Sequence, residues 1–570
     1  MPEPAAAASQ TEIERKYRVH GLYRLPDLVE SGAVVGVDDL GTATLDATYY
    51  DTDDLRLARE GITLRRRSGG SDEGWHLKLP ISVSQGAGTR EELHLPLEAG
   101  GPKGTVAPGF RHLVGALVRS DELRPVATLR TERHTLRLWA DPDALGVGPT
   151  TDPKAAEPAE ADDRPLEEPA ETDEATPRKE APSERQPVAL LTDDLVSVLD
   201  TDGTMVARFR ELELEDLPDA DAALTAPTAD RVSGVLVAAG AVGGEFVSKA
   251  VRALGPFAAA PPEVPEPGPV VPRDPARDAV RAHLARHTRR LRAADLMVRR
   301  DQPDAVHQMR VSARRLRSGL RVFRPLLDRE WADALRDELA WVAGELGDYR
   351  DTEVLLERLE QHLDLLPDGI DPEPARGHVE KVLSARLDQA RERALAMLDS
   401  PRYHDLHVQL IRAAADPVTT EEADLPSRTV VPPLVEGAWK KLAKEADRLL
   451  ADERKIAGGA PDEEWHAARI TAKKARYAAE AAAPVFGDDA EAFAKQLARV
   501  TEVLGEHQDA SIAAERVHEL AETEPISAAA AFGLGVLLGV ERESARATRH
   551  EFSTVWPEVR RQKWRRWLRG

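Results

Sequence analysis

Polar and apolar residues alternate along short segments of the first 215 residues, whereas they follow helical spacing beyond about residue 276. Alternation with a period of two is typical of a strand with one buried face, and spacings of three and four are typical of an amphipathic helix. Gly, Asp or Pro turns separate the clearest strand candidates, which are 44–50, 62–67, 75–78, 128–133, 188–191 and 207–215. The pattern predicts an α+β chain, in which a β-rich domain with flanking helices precedes an all-α domain.

Two segments poor in aliphatic residues interrupt this pattern. Within 151–187 there are seven prolines, twelve acidic residues and five basic ones, a composition that cannot support a packed core. Strand-like alternation resumes afterwards, so about 142–187 is predicted to be a disordered insertion in a hairpin of the first domain, 10–255. The Pro-rich segment 256–275 is predicted to be an interdomain linker, and 276–565 to be the helical domain.

Charged residues occupy one face of several strand candidates. On a strand, Glu12, Glu14 and Lys16 share a face, as do Arg65 and Arg67. The same alternation groups further charged residues of both signs: His76 with Lys78, Arg90 with Glu92 and His94, and Glu211 with Glu213 and Glu215. One such strand is compatible with the wet face of an open sheet. Several together favour a closed barrel with a charged lumen, where carboxylates can hold a hard divalent cation and basic side chains can neutralise phosphates.

The helical region contains a long-range internal repeat. The segment 307–317, HQMRVSARRLR, returns at 466–476 as HAARITAKKAR, and a Leu-Gly-x-x-Arg/Gln-Asp motif follows at 346–351 and 504–509. At about 100° per residue, each copy gathers basic residues on one helix face, and we expect the Asp of the later motif to pair with that stripe. The candidates in the two copies are His307, Arg310, Arg314, Arg315, Arg317 and Arg321, and His466, Arg469, Lys473, Lys474 and Arg476.

These stripes favour the binding of a polyanion. A solvated helix face usually mixes signs for pairing between residues four apart, whereas the first stripe has no acid, and a bound anion would offset the repulsion between its cations. His307 and His466, taken alone, are equally compatible with hydrogen bonding at the edge of the core. Neither has an acid or a second His at metal-ligand spacing on its stripe, so they are not expected to bind metal.

The composition of the chain excludes several classes of protein and of site. The chain has 570 residues, a formal charge of −23 and a pI near 5.3, which argues against a general nucleic-acid binder. It has no cysteine, so disulfides, iron–sulfur clusters and thiolate zinc sites are excluded. No apolar run approaches the roughly 20 residues that cross a bilayer, and the N-terminus does not resemble a signal peptide. We therefore expect a soluble, cytoplasmic protein.

The ordered motifs of the first domain resemble the CYTH, or triphosphate tunnel metalloenzyme, superfamily. They are Glu-x-Glu-x-Lys at 12–16, Tyr-Tyr-Asp-Thr at 49–52, Leu-Arg-Arg-Arg at 64–67, Trp-His-Leu-Lys at 75–78, Thr-Arg-Glu-Glu at 89–92 and Glu-Leu-Glu-Leu-Glu at 211–215. The resemblance covers about 10–255. It implies an eight-stranded antiparallel tunnel that cleaves triphosphates with Mg²⁺ or Mn²⁺.

This resemblance assigns roles to individual residues. The catalytic candidates are Glu12, Glu14, Lys16, Arg65, Arg67 and Lys78. The phosphate-binding candidates are Arg90, Arg133 with Arg130 as its alternative, and Lys249. The metal-binding candidates are Glu12, Glu14, Asp193 or Asp194, Glu211, and the better-matching Glu213 and Glu215.

The repeat of the second domain resembles the CHAD domain, a helical domain named for conserved histidines. The resemblance covers about 276–565, with related halves at about 276–420 and 430–565. Members of that family bind inorganic polyphosphate through a basic face. The resemblance implies polyphosphate as a partner and leaves open whether the protein associates with polyphosphate granules.

Together, the two resemblances predict a metal-dependent inorganic triphosphatase whose helical domain binds polyphosphate. Two alternatives share the same fold: a non-catalytic polyphosphate-binding protein, and an organic-triphosphate enzyme such as a thiamine or nucleoside triphosphatase or an adenylate cyclase. A third alternative, an RNA-binding protein, is disfavoured because no aromatic residues are interleaved with the stripes.

Overall fold

In the computed structural model, the described residues are 8–70, 72–84, 87–101, 104–142, 185–200, 202–244, 247–451, 456, 462–523 and 525–569. They form two compact units. The first comprises residues up to Arg111 together with Asp121–Ala260, and the second comprises His112–Ser120 together with Pro261–Gly570.

The first unit is an antiparallel β-barrel. Its strands are β1 (Ala8–Val19), β2 (Gly36–Asp51), β3 (Thr63–Ser68), β4 (Gly74–Ser84), β5 (Ala87–Leu95), β6 (Arg124–Ala140), β7 (Gln186–Leu199), β8 (Met205–Asp216) and the short β9 (Val242–Gly243). They follow the order β5-β4-β3-β2-β6-β7-β8-β1, with β9 on the far side of β1. β1 also pairs with β5, so eight strands form a closed ring. The predicted eight-stranded antiparallel barrel is confirmed.

Closure of the ring depends on the long first strand. Residues Ala8–Glu14 pair with β5, and residues Glu14–Val19 pair with β8. Period-two alternation then directs one set of β1 side chains into the lumen and the other outwards. The outward set meets an apolar layer, in which Tyr17 packs with side chains of helix α4 (Ala222–Ala238).

An apolar cluster fills one end of the barrel. Tyr49, Leu129 and Val196 pack there against Ala250 of the short helix α5 (Lys249–Leu254). Lys249, the first residue of that helix, is buried with the lumen side chains. Helix α5 therefore brings a cation to the inner end of the lumen.

The predicted acidic insertion falls between two paired strands. β6 and β7 pair antiparallel, and Ala140 lies opposite Gln186 at their open end. Residues 143–184, which include most of the predicted insertion, lie outside the described residues.

Three short helices occur within the first 120 residues: α1 (Arg56–Arg59), α2 (Pro108–Leu113) and α3 (Gly115–Val118). Of these, α3 belongs to the second unit.

The second unit is helical. The long helices are α6 (Ala276–Arg299), α7 (Ala305–Val322), α8 (Arg329–Glu345), α9 (Gly347–Leu363), α10 (Glu373–Leu398), α11 (Pro401–Ala415), α12 (Ser427–Leu450), α13 (Asp462–Phe486), α14 (Asp488–Ala521) and α15 (Ala528–Val559). The two repeat copies lie on α7 and α13, which contact each other. Among the described helices, none combines the length and the apolarity needed to cross a bilayer.

The second unit includes two segments that lie before the predicted start of the helical domain at residue 276. They are residues 112–120 and the segment from Pro261 onwards. Val264, within the predicted linker, packs against Ala285 and Ala414. Arg119 donates two hydrogen bonds to the carboxylate of Glu263, at 2.9 and 2.7 Å. Residues 112–120, which the sequence pattern assigned to the first domain, are thus held to the helical unit by a bidentate ion pair.

Two buried histidines on α6 pack beneath α7. The rings of His283 and His287 lie edge to face with their centroids 4.6 Å apart, and His283 approaches so closely that a Cβ on Gly319 would lie 2.2 Å from its Nε2. The same Nε2 is 3.1 Å from the carbonyl oxygen of Arg315. Burial lowers the pKa of His283 to about 4 and that of His287 to about 2.

We expect these histidines to make the helical unit sensitive to acid. In the unfolded chain both have the ordinary pKa of 6.5, so below pH 6.5 the unfolded state binds more protons and stability falls as pH falls towards 4. The slope is at most about 1.4 kcal/mol per pH unit for each histidine. Urea unfolding followed by circular dichroism at pH 7, 6 and 5 should show a shallower pH dependence for His287→Phe. The exposed His518→Phe variant is the control, and an unaltered slope in His287→Phe would refute the expectation.

Candidate active site and anion-binding groove

The barrel encloses a cavity of about 750 Å³ lined by side chains of both signs. Most of the sequence-predicted residues meet there. The predicted residues that line it are Glu12, Glu14, Lys16, Arg65, Arg67, Lys78, Arg90, Arg133, Glu213, Glu215 and Lys249. The structure therefore brings carboxylates, lysines and arginines from separate strands into one enclosed space.

Two carboxylates flank the lysine of the first strand. Lys16 lies opposite Glu213 in the β1–β8 pairing and contacts its carboxylate, and its Nζ is 3.0 Å from Oε2 of Glu14. Arg90 on β5 approaches Glu14 from the other side, with 3.6 Å between Nε and Oε1. Burial acts to raise the pKa of Glu14, but the Lys16 ammonium holds it below its usual value. Glu14 is therefore a carboxylate kept ionised by its neighbours.

Glu92 is a central acid of the lumen to which the family resemblance assigned no role. Its carboxylate is 3.2 Å from Arg65, 2.9 Å from Nδ1 of His76 and 3.6 Å from Lys78. It shares a face with Arg90 on β5, so the alternation along that strand was the signal that could have identified it. Burial works to raise the pKa of Glu92, yet Lys78 and the hydrogen bond from His76 lower it well below its usual value.

Glu12 has the opposite protonation preference. Burial, followed by a hydrogen bond with Glu92, raises the pKa of Glu12 to about 8, although Lys78 contacts its carboxylate. At neutral pH Glu12 is therefore protonated, and its carboxyl group donates a hydrogen bond to the ionised Glu92.

The inner end of the lumen is an ion-pair network. Arg133 donates to both oxygens of Asp194, at 2.8 and 2.6 Å, and to Glu213 at 2.8 Å. Lys249 lies 3.0 Å from Asp194, 3.0 Å from Glu211 and 2.6 Å from Glu213. Lys249 of helix α5 and Arg133 of β6 contact the same acids, Asp194 of β7 and Glu213 of β8. The network therefore joins helix α5 to these three strands.

Two predicted site residues point away from the lumen. Arg130 lies on the outer face of β6, where its side chain is 54% exposed and pairs with Asp46 at 2.8 Å. Asp193 also leaves the lumen, since it forms two hydrogen bonds with Arg210. The reason is the period of two: the lumen receives Arg133 and Asp194, so residues an odd number of positions away point outwards.

Two further metal-binding candidates, Asp194 and Glu211, are buried and contact cations of the protein. Asp194 has both oxygens bonded to Arg133. Glu211 is fully buried between Lys249 and Arg252, with 2.7 Å to the latter. Their oxygens are thus engaged by cations of the protein, and these two acids hold the inner end of the barrel together.

The remaining lumen carboxylates supply the oxygen donors that Mg²⁺ and Mn²⁺ prefer. Glu14 lies opposite Glu215 in the β1–β8 pairing, and burial raises the pKa of Glu215, with the Glu14 carboxylate adding to the rise. Among the described residues no three acidic or histidine side chains converge as a metal cage, and Lys16 and Lys78 contact Glu14 and Glu12 instead. The donors still fit a hard cation in kind, because a divalent ion would stabilise the charged forms of Glu12 and Glu215, whose pKa values burial raises.

In the helical unit, two cavities of about 940 Å³ each meet at Arg314 and Lys473. These two residues occupy equivalent positions in the two repeat copies, on α7 and α13. In the described part of the chain, neither has an acid within ion-pair distance, and the buried Nε of Arg314 has no hydrogen-bond partner. Burial, with Arg469 and Arg314 nearby, lowers the pKa of Lys473 to about 8. A cation pair without a protein counter-ion is what an anion site requires.

The two cavities differ in charge. We call the first the basic arm, since Arg314, Arg317, Arg321, Lys441, Lys473 and Lys474 line it and no acid among the described residues does. We call the second the mixed arm, because it contains Asp348, Asp351, Asp509 and Glu515 beside His307 and the cations Arg310, Arg350, Arg358, Arg386, Arg393, Arg469 and Arg516.

The aspartates of the second motif pair with the stripe, as expected. Arg310 lies 2.9 Å from Asp351, and Arg469 lies 3.5 Å from Asp509. These equivalent pairs show that the repeat is preserved in three dimensions.

Three stripe residues lie outside both cavities. Arg315 and Arg476 both bind the carboxylate of Glu480, at 2.6 and 2.8 Å. His466 is hydrogen-bonded to Gln508 at 2.7 Å. These side chains have partners in the protein, so they tie the helices together.

The ion pairs of the inner lumen should make Arg133 of β6 far more important than Arg130 of the same strand for the free energy of unfolding. Arg133→Ala leaves Asp194 buried without its bidentate partner, so we expect a loss of about 3 to 5 kcal/mol of unfolding free energy. Arg130→Ala removes only an exposed pair and should cost less than about 1 kcal/mol. Guanidinium unfolding of the two variants measures the difference, and equal losses would contradict the assignment of faces on β6.

Comparison with known proteins agrees with the fold. A CYTH domain model matches residues 10–147, and a CHAD domain model matches residues 282–518. The Mycobacterium tuberculosis proteins MT2285 and Rv2226, both described as uncharacterized, are each 32% identical to this chain over 562 residues, or 97% of this chain and 98% of the relative.

Two solved structures are also similar. PptA from Streptomyces chartreusis gives a TM-score of 0.43 at 27% identity and covers 50% of this chain and 100% of its own. The CHAD domain from the plant Ricinus communis gives 0.40 at 27% identity and covers 50% of this chain and 94% of its own. From the domain matches and the full-length relatives, the chain belongs to the family of proteins that join a CYTH domain, a domain typical of triphosphate tunnel enzymes, to a CHAD domain.

Proposed function

We propose that the chain is a divalent-metal-dependent inorganic triphosphatase whose helical domain binds inorganic polyphosphate. The observation that supports this most directly is the lumen of about 750 Å³, in which five strands and one helix contribute basic side chains around several carboxylates. A linear triphosphate carries several negative charges along a short chain and is matched by such a wall. The family membership agrees, since CYTH tunnel enzymes use divalent metals.

Substrate binding would exchange one set of partners for another. Arg65, Lys78 and Arg133 now contact Glu92, Glu12 and Asp194, so phosphate oxygens would replace part of these contacts. Arg67 is buried beside other cations and contacts the exposed carboxylate of Asp72. Burial, followed by Arg65 and Arg133, lowers the pKa of Arg67 to about 9. An anion bound there would stabilise the charged form of Arg67, which makes it the strongest candidate for a phosphate contact.

The chemistry is hydrolysis of the terminal phosphoanhydride bond. A water oxygen bonds to the terminal phosphorus while the bridging P–O bond breaks, giving orthophosphate and pyrophosphate from tripolyphosphate. A divalent cation held by Glu12, Glu14 and Glu215 would supply Lewis acidity and spread the charge that develops on the phosphate oxygens. The basic side chains hold the phosphate chain in line, and the lumen carboxylates orient the water and receive its proton.

Removing one lumen arginine should separate catalysis from general charge effects. We expect Arg67→Ala to lower kcat/KM for tripolyphosphate by about 100-fold or more, because a phosphate contact is lost where charge develops. Arg66→Ala, next in sequence but on the other face of β3, should change it less than about 3-fold. The measurement is phosphate release with Mg²⁺ or Mn²⁺. Equal effects in both variants would count against the lumen as the active site.

The same assay distinguishes the alternatives. EDTA should abolish phosphate release, and added Mg²⁺ or Mn²⁺ should restore it. If no metal-dependent release is detected, the protein is instead a non-catalytic polyphosphate-binding protein. Turnover of ATP or thiamine triphosphate at a higher kcat/KM than tripolyphosphate would assign an organic-triphosphate enzyme instead.

For the helical domain, the proposal rests on Arg314 and Lys473 at the meeting point of the two arms. Counter-ions displaced from a polyanion add to binding wherever basic residues form a continuous path. The two arms provide such a path along α7 and α13.

We expect the double variant Arg314→Ala/Lys473→Ala to weaken binding of long-chain polyphosphate by about 10- to 100-fold at moderate salt. Arg542→Ala, an exposed arginine of α15 that lines neither arm, should leave it within about 2-fold. Binding is measured by fluorescence anisotropy of labelled polyphosphate with the full chain. Competition by RNA as strong as by unlabelled polyphosphate would instead favour the RNA-binding alternative.

A further inference from the structure

The basic arm has an apolar wall facing its cations. Ile470 is 40% exposed on α13, and Leu434 and Ala438 of α12 and Tyr477 of α13 are half-buried beside it in the same cavity. Inorganic polyphosphate has no group that gains from such a wall, since every phosphate is strongly hydrated. An apolar patch in a small-molecule-sized cavity normally contacts an apolar part of a ligand.

Tyr477 also provides a ring next to the cation pair. The guanidinium carbon of Arg314 lies 5.7 Å from the centroid of the Tyr477 ring. The aromatic ring and the Arg314–Lys473 pair therefore adjoin one another at the inner end of the basic arm. A ligand with a planar ring and a chain of phosphates could contact both at once.

The position equivalent to Tyr477 in the first repeat copy is Ser318, and the position equivalent to Ile470 is Val311. Val311 is half-buried and lines neither arm in the described part of the chain. The Tyr477 and Ile470 part of the apolar wall is thus not reproduced at the equivalent positions of the first copy.

We propose that the basic arm binds an organic polyphosphate of the nucleoside triphosphate class, with its phosphates on Arg314 and Lys473 and its base against Tyr477 and Ile470. The inference deepens the proposed function, because it relies on an anion at the cation pair and adds the kind of molecule that carries the anion. A lipid phosphate is less suitable, since a cavity of about 940 Å³ lies within the range of small-molecule pockets.

The test compares ATP with tripolyphosphate on the same protein. Calorimetric titrations use the full chain carrying Arg65→Ala/Arg67→Ala, which weakens binding in the lumen, in buffer with EDTA to prevent metal-dependent turnover. Tyr477→Ser and Ile470→Ser are introduced separately, and Val311→Ser is the matched control at the repeat-equivalent position. We expect each of the first two to raise the Kd for ATP about 5- to 10-fold and the Kd for tripolyphosphate less than 2-fold, with no change for Val311→Ser.

Two results would overturn the inference: an ATP affinity that Tyr477→Ser and Ile470→Ser leave unchanged, or equal losses for ATP and tripolyphosphate. The retained tripolyphosphate affinity shows that each variant is folded. Failure of the broader proposal gives a different result. In that case the Arg314→Ala/Lys473→Ala variant would bind ATP and tripolyphosphate with the same Kd values as the parent chain.

Discussion

Closure of the sheet by β1 is the constraint from which the chemistry of the first unit follows. One strand of twelve residues serves two neighbours, β5 through its first half and β8 through its second. Once the ring is closed, every inward side chain shares one confined space. Charges there cannot be left to solvent, because an unpaired buried charge costs several kcal/mol. Acids and bases must therefore be matched across strands, and the contacts of Glu92, Lys16 and Arg133 are the outcome.

A different constraint governs the second unit. The two repeat copies place α7 and α13 together, so equivalent cations, Arg314 and Lys473, meet where a single copy would have had only one. The aspartates of the later motif neutralise Arg310 and Arg469 but do not reach this pair. Duplication of a basic helix thus creates a locally uncompensated charge within a chain whose formal charge is −23.

Sequence alone predicted the barrel and most of its lumen because period-two alternation is a local property of each strand. It was less reliable where residues one or three positions apart were alike in charge. Asp193 and Asp194 are both acidic, and Arg130 and Arg133 are both basic, so polarity could not tell the inner face from the outer one. The role of Glu211 depended on contacts with Lys249 and Arg252 from a distant helix, which no local pattern contains. The grouping of 112–120 with the helical unit has the same origin, since the ion pair to Glu263 joins residues far apart in the chain.

A phosphate chain would therefore meet a different electrostatic environment in each of the two units. In the lumen the cations are already matched by carboxylates, so a phosphate chain gains only if those carboxylates receive another positive charge in exchange. A divalent cation satisfies that condition, and on the proposed function it is required for substrate binding as well as for bond cleavage. In the basic arm no acid competes among the described residues, and an anion there relieves repulsion between cations that burial has already made costly. On the proposed function, binding in the basic arm should accordingly need no metal, and the same class of ligand would be held by two opposite arrangements of charge within one chain.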